Sequence, residues 1–121
     1  MEEKGTLKVV YYKLDIDTGT IGMEVIEIAD TLEEMQRLVG GHIEVYPVCF
    51  EHNIILICNE EGKLVDLPAT ALVEADKRLS PEVICGNFFV CRVSGENMVS
   101  IKDEDMEYIK KLITPISYDC K

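Results

Sequence analysis

The sequence predicts an α+β fold, one domain over residues 1–121, with a mixed, mostly antiparallel sheet of about five or six strands and two covering helices. Three observations carry this expectation. Runs rich in apolar and β-branched residues recur at strand length, over residues 7–14, 53–58 and 83–93. Two other segments, residues 30–39 and 100–113, place apolar residues at helical spacing behind a capping residue. Hydrophobic residues make up 47% and charged residues 29% of the chain, enough for one core at this length and too little chain for a second.

The elements follow in order. Residues 7–14 read as a strand, and Asp15, Asp17, Thr18, Gly19 and Gly22 mark the turn after it. Residues 23–28 alternate apolar and acidic, with Met23, Val25 and either Ile26 or Ile28 against Glu24 and Glu27; the slip at Val25-Ile26 leaves room for a bulge or a twist. Together the two runs make a hairpin. Asp30 or Thr31 caps the next helix, because Glu33 and Glu34 stand at the capping-box spacing. Its buried face is expected to carry Leu32, Met35, Leu38 and Val39. Gly40-Gly41 supplies the left-handed residue that stops it.

Residues 42–48 predict a further strand with Pro47 near its end. Residues 53–58 are apolar without alternation, which predicts a strand covered on both faces. Gly62 is expected at positive φ in a hairpin loop, with a return strand over residues 63–67 ended by Pro68. Residues 69–81 admit two readings, a helical turn around residues 71–75 or a loop. Residues 83–93 predict a central strand bulged at Gly86-Asn87. Ser100 is expected to cap the last helix, with Asp103 three residues on. Asp103, Glu104, Asp105 and Glu107 crowd its start, and Lys110 and Lys111 its end, an order that suits the helix dipole. Met106, Ile109, Leu112 and Ile113 form its buried stripe, and Pro115 its stop.

These motifs, in this order, resemble one family. The run comprises Leu38-Val39-Gly40-Gly41, Ile43-Glu44-Val45, the Asn-Glu-Glu-Gly-Lys-Leu loop at residues 59–64, and Leu67-Pro68. Ile-Cys-Gly-Asn-Phe-Phe-Val at residues 84–90 and the acidic helix start at Ser100 complete it. The whole is similar to the domain of unknown function 3846 family, over roughly residues 32–109. The loop at 59–64 is the most specific part. The resemblance implies no established catalytic activity. It does imply a source among bacteria, their phages and mobile elements.

Charge narrows the function classes. Lys plus Arg number 12 against 23 Asp plus Glu, a net charge of −11 and a pI near 4.5. Residues 1–60 hold 4 basic and 12 acidic residues, and residues 61–121 hold 8 and 11. Such a surface repels phosphate backbones and anionic lipid, so neither nucleic acid nor membrane is an expected direct partner. No apolar run approaches the roughly 20 residues that cross a bilayer, and residues 1–5 lack the pattern of a signal peptide. The cysteines, Cys49, Cys58, Cys85, Cys91 and Cys120, are odd in number and form no Cys-x-x-Cys, which predicts thiols in a reducing cytoplasm.

Candidate chemistry is sparse. His42, Cys49, His52 and Cys58 form the His/Cys cluster, but only Cys49-x-x-His52 has the spacing of a zinc-ligand pair. Asp15-x-Asp17-x-Gly19 starts like a calcium loop and then lacks its remaining ligands, so a solvated turn is expected. Cys49 with His52 does not make a nucleophile-and-base arrangement by itself. Phosphate-binding, dinucleotide and serine-hydrolase motifs are missing. No metal, no cofactor and no enzymatic activity are expected.

The acidic excess is the remaining signal, and its plainest reading is solubility. A sharper reading assigns contact with a partner to Glu33 and Glu34 at one helix start, Asp103, Glu104 and Asp105 at the other, and Glu60 and Glu61 at the loop tip. The expected function is then that of a non-enzymatic, acidic cytoplasmic protein of phage or mobile-element type that binds a host or phage protein. Anti-defence inhibition of a nucleic-acid-handling enzyme, by mimicking nucleic acid in its basic groove, is the form this takes most naturally. Two alternatives stand beside it: a small-ligand pocket near Gly86-Asn87, and a homo-oligomer joined through a sheet edge or the first hairpin.

Overall fold

The first hairpin sets the frame. β1 (Thr6–Asp15) and β2 (Thr20–Ala29) pair antiparallel without a break, from Thr6↔Ala29 to Asp15↔Thr20. The bulge allowed for at Val25-Ile26 is therefore absent. Ile26 turns to the face that also holds the buried Ile28, while Val25 turns to the outer face and is 49% exposed. The turn closes through the Gly19 N–H, which donates to the Asp15 carbonyl at 2.8 Å with Gly19 at φ 73°. The computed structural model describes residues 5–62, 64–74 and 81–116.

α1 (Leu32–Val39) starts where the capping pattern places it. The Thr31 hydroxyl accepts the Glu34 N–H at 3.2 Å, and Gly40 ends the helix at φ 79°. Met35, Leu38 and Val39 are buried. Leu32, expected with them, is 56% exposed: it lies in the first turn, before the helix has reached the sheet.

β3 (Ile43–Cys49) and β4 (Ile54–Asn59) form a second antiparallel hairpin, with a register shift between Pro47 and Cys49. β7 (Phe88–Ser94) lies between the two hairpins and completes the order β2-β1-β7-β4-β3. It meets β1 through Val10↔Val90, Tyr11↔Phe89 and Tyr12↔Phe88, and β4 through Ile54↔Arg92 to Ile57↔Phe89. Past Val90 its flank passes from β1 to β8 (Asn97–Val99). The lower half of β1 then meets the chain beyond β8, where the Lys8 N–H donates to the Ser100 hydroxyl at 2.8 Å and the Ile101 N–H to the Lys8 carbonyl at 3.0 Å.

A second, small sheet has the order β6-β5-β9, from β5 (Ala69–Val73), β6 (Glu82–Cys85) and β9 (Ile113–Pro115). α2 (Asp105–Leu112) precedes β9. The α+β class and the mostly antiparallel sheet hold: every strand pair among the described residues is antiparallel.

Several sequence expectations are corrected by this second layer. Leu64, Val65 and Asp66 form turns, not a return strand, with Asp66 at φ 56°. Gly62 does not have positive φ; it is buried where a Cβ would stand 2.9 Å from the Cys85 carbonyl oxygen. Residues 69–73 are a strand, and residues 75–80 lie outside the described residues. The single strand expected over 83–93 is two strands of different sheets, parted at Gly86, φ 83°. α2 begins at Asp105 with no side-chain cap, and the Ser100 hydroxyl, five residues earlier, accepts the Lys8 N–H instead. Ile113 and Pro115 belong to β9.

Side-chain alternation places the two helices on opposite faces of the large sheet. Tyr11, paired with Phe89, reaches α1: its hydroxyl donates to the Leu38 carbonyl at 3.0 Å. Tyr12 and Phe88 point the other way and stack at 4.5 Å, and Arg92, of the same parity as Phe88, meets α2. Between the layers Val9, Val10, Leu56, Ile57, Phe88, Phe89 and Val90 are 0% exposed. Each such side chain contributes about 1.5–3 kcal/mol by leaving water. β4 is covered on both faces, as its unbroken apolar run predicts. Among the described residues no helix is long and apolar enough to cross a membrane.

Candidate functional site

The acids expected to meet a partner divide by position. Glu33 and Glu34 lie in the first turn of α1, where carboxylates complement the helix dipole. Glu33 is exposed. Glu34 is bound internally: its Oε1 accepts the Arg37 Nε–H at 2.7 Å. That hydrogen bond holds the Glu34 carboxyl below its ordinary range. Asp103 and Glu104 are exposed on the turn that leads into α2. This turn follows Ile101, which is bonded to Lys8, and α1 follows the β2 end paired with Thr6. Both helix starts thus sit toward the same end of the large sheet, on opposite faces.

Asp105 departs from this set. It is 0% exposed, and its carboxylate accepts both oxygens' bonds from Arg92 Nη1 at 3.0 and 3.1 Å and a third from the Lys102 N–H at 2.8 Å. A carboxylate so enclosed is a structural anchor and not part of an acidic surface. Its i, i+3 spacing from Lys102 marks a capping turn, but its burial needed knowledge of where Arg92 falls.

Glu60 and Glu61 are exposed at the far end of β4. The Asn59 side chain fixes their loop. It accepts the Glu61 N–H at 2.8 Å and donates to the Val39 carbonyl at 3.2 Å, tying the loop to the end of α1. Glu60 borders a concavity of about 310 Å³ together with Glu44, Glu82, Cys58 and Cys85. Glu60 therefore gathers with acids of β3 and β6, and not with those at the helix starts.

The Gly86-Asn87 region is concave, with a volume of about 450 Å³. Tyr11, Lys13, Arg37, Pro68 and Asn87 are among its lining residues. Gly86 is required here by its positive φ; a Cβ would also come within 2.7 Å of Leu67 Cδ1, a side-chain tip that can move aside. Asn87 Oδ1 accepts the Leu14 N–H at 2.9 Å, beside the Tyr11 phenol. Burial pushes the Tyr11 phenol up, against the opposing pull of Asn87. Asn87 is thus a bracket between β1 and β7, while Lys13 and Arg37 bring positive charge to the rim of an otherwise acidic protein.

The His/Cys candidates are dispersed. His52 stacks on Tyr108 of α2 at 3.9 Å, and the Cys58 thiol is turned toward the Glu44 carbonyl at 3.8 Å in the wall of β4. Cys120 lies outside the described residues. Asp15 Oδ1 accepts the Asp17 N–H at 3.0 Å, so this carboxylate serves the turn. Among the described residues no group of three or more His, Cys, Asp or Glu side chains is arranged to hold a metal ion.

Comparison with known proteins gives one match. A family model described as Domain of unknown function (DUF3846) covers residues 13–114. No curated protein and no solved structure matches the chain.

Proposed function

We propose that this chain, which belongs to the Domain of unknown function (DUF3846) family, is a non-enzymatic protein of phage or mobile-element type that acts by binding another protein through its negative surface. The observation that carries this reading is the exposure of Glu33, Asp103 and Glu104 on a protein of net charge −11. These carboxylates serve no ion pair with a described residue, unlike Glu34 and Asp105. Their field favours a partner with a basic groove, such as an enzyme that handles nucleic acid. Occupying that groove would inhibit the enzyme, which is the anti-defence form of the proposal. A cytoplasmic setting agrees with Cys49, Cys85 and Cys91 being thiols rather than disulfide partners.

The test is capture of host-cell proteins on the full chain in nuclease-treated lysate, at low and high salt, beside the triple variant Glu33→Lys/Asp103→Lys/Glu104→Lys. A partner lost at high salt and absent from the variant supports the proposal. A partner kept by the variant overturns the role given to these acids. A second reading, a small-ligand site, is favoured by the concavity at Asn87 with Lys13 and Arg37 on its rim. Its test is a thermal-shift screen of small anions, with Arg37→Ala and Lys13→Ala as controls.

A further inference from the structure

The two edges of the large sheet are unlike. β3 carries Pro47, which has no N–H to offer, and a register shift beside it. β2 carries neither. Its ten residues hold one unbroken register with β1, and none of them has positive φ. Its neighbour in the sheet is β1 alone. Among the described residues no backbone hydrogen bond from another segment reaches residues 20–28. The outer N–H and C=O groups of β2 therefore form a ladder with no partner strand among the described residues. β6 and β9, edges of the small sheet, offer only 4 and 3 residues.

The side chains along this edge have a definite chemistry. Glu24 and Glu27 are exposed on opposite faces, and neither makes an ion pair with a described residue. Met23 and Val25, 39% and 49% exposed, share the face of Glu27. A depression of about 770 Å³ lies against the first half of β2. It brings Asp15, Asp17 and Glu24, three carboxylates against the one ammonium of Lys13 among its described lining, beside Met23 and the 88%-exposed Ile16.

We infer that β2 is a docking edge for an extended segment of a partner protein, added as a further antiparallel or parallel strand and bearing basic and apolar side chains. Main-chain bonds to β2 supply attachment, and alternate side chains supply selection. The basic ones, all on one face of the added strand, meet Glu24 and the carboxylates of the depression; the apolar ones, on the other face, cover Met23 and Val25. A second copy of this chain is a poorer occupant, because two bodies of net charge −11 repel and each would bring acids to the other's acids. The inference rests on the protein-binding reading above and moves its contact from the helix starts to the sheet edge.

The test uses the full chain labelled with ¹⁵N and a ten-residue peptide of alternating lysine and valine. Two control peptides are its glutamate–valine counterpart and a lysine–valine form N-methylated at alternate residues, which cannot complete the ladder. Expected is binding of the first peptide, weakened at least tenfold in both controls and in Glu24→Lys. Alternate amides of β2 should become protected from hydrogen exchange when it binds. Equal binding of the N-methylated peptide overturns the edge. So does protection confined to Glu33, Asp103 and their neighbours, although that result would sustain the wider binding reading. No binding at low salt overturns the edge as well, and leaves the helix-start variant to decide the wider reading on its own. Protection of the same β2 amides in the free chain, with a dimer's mass in solution, would assign the edge to a second copy instead.

Discussion

Asp105 and Arg92 form a closed pair: the carboxylate is 0% exposed, the guanidinium side chain 14%, and two bonds of 3.0 and 3.1 Å join them. The pair fastens α2 to the central strand β7. Desolvating two charges offsets most of their attraction, so the pair adds little net stability against an apolar pair of the same shape. Removing one member is different. Asp105→Ala should cost about 3–5 kcal/mol, since it strands the Arg92 charge and frees the Lys102 N–H. Asp105→Leu with Arg92→Met should recover most of that. Urea denaturation of the three proteins checks it; a single variant as stable as the double one would refute the stranded-charge account.

Tyr12 offers the opposite case. Its ring is 1% exposed and stacked on Phe88, yet its hydroxyl has no hydrogen-bond partner among the described residues. Burial pushes the phenol up to about 12. Tyr12→Phe keeps the stack and removes a polar atom that lost water without replacement. The change should raise stability by about 1 kcal/mol, read as a higher urea midpoint with an unchanged slope. A loss of similar size would mean that the hydroxyl has a partner after all.

The alkaline limb of stability should report on Cys91. Burial, aided by the charge of Asp30, pushes its thiol from 9.0 up to about 12. The folded chain therefore keeps this proton between pH 9 and 12 while the unfolded chain releases it. Its contribution is intact below pH 9 and declines as pH rises, by about 1.4 kcal/mol per unit. Cys91→Ala should cost about 1 kcal/mol at neutral pH through the small cavity it leaves. The deficit should shrink between pH 9 and 11, as denaturation at a series of pH values would show. A deficit independent of pH would place the Cys91 thiol near its ordinary range.

Gly40 and Gly62 look alike in the sequence and differ in what they require. Gly40 sits at φ 79° with open space where a Cβ would point. Asn tolerates that backbone, so Gly40→Asn should be milder than Gly40→Ala, which costs about 1 kcal/mol. At Gly62 a Cβ would meet the Cys85 carbonyl oxygen at 2.9 Å. There Gly62→Ala should cost about 1–3 kcal/mol and Gly62→Asn more, because the obstacle is bulk and not φ. Thermal midpoints of the four variants separate the two causes.

What could be read from the sequence was local. The Thr31 cap, the Gly40 stop and the doubly covered β4 depend on residues within a few positions of one another, so spacing alone reveals them. What escaped depends on distant partners. Residues 83–93 read as one strand because nothing nearby shows that Gly86 hands the chain from one sheet to the other. Ser100 reads as a cap until Lys8, remote in sequence, claims its hydroxyl. Asp105 counted as a surface acid for the same reason, while Glu24 and Glu27 passed as the polar half of an alternation, their place at a free edge being a property of strand order.

The position of β7 has a consequence for how the molecule is made. Two hairpins, β1-β2 and β3-β4, are joined into one sheet only by a strand that begins at Phe88. During synthesis both hairpins emerge with unsatisfied edges and wait for it, so the large sheet cannot close until most of the chain has been translated. Pairings as distant as Val10↔Val90 impose a slow, loop-closing step, and folding should run in milliseconds to seconds, not microseconds. A nascent chain halted before Phe88 is an unfinished sheet in which all four strands are edges, the species on which ribosome-associated chaperones and proteases would act first.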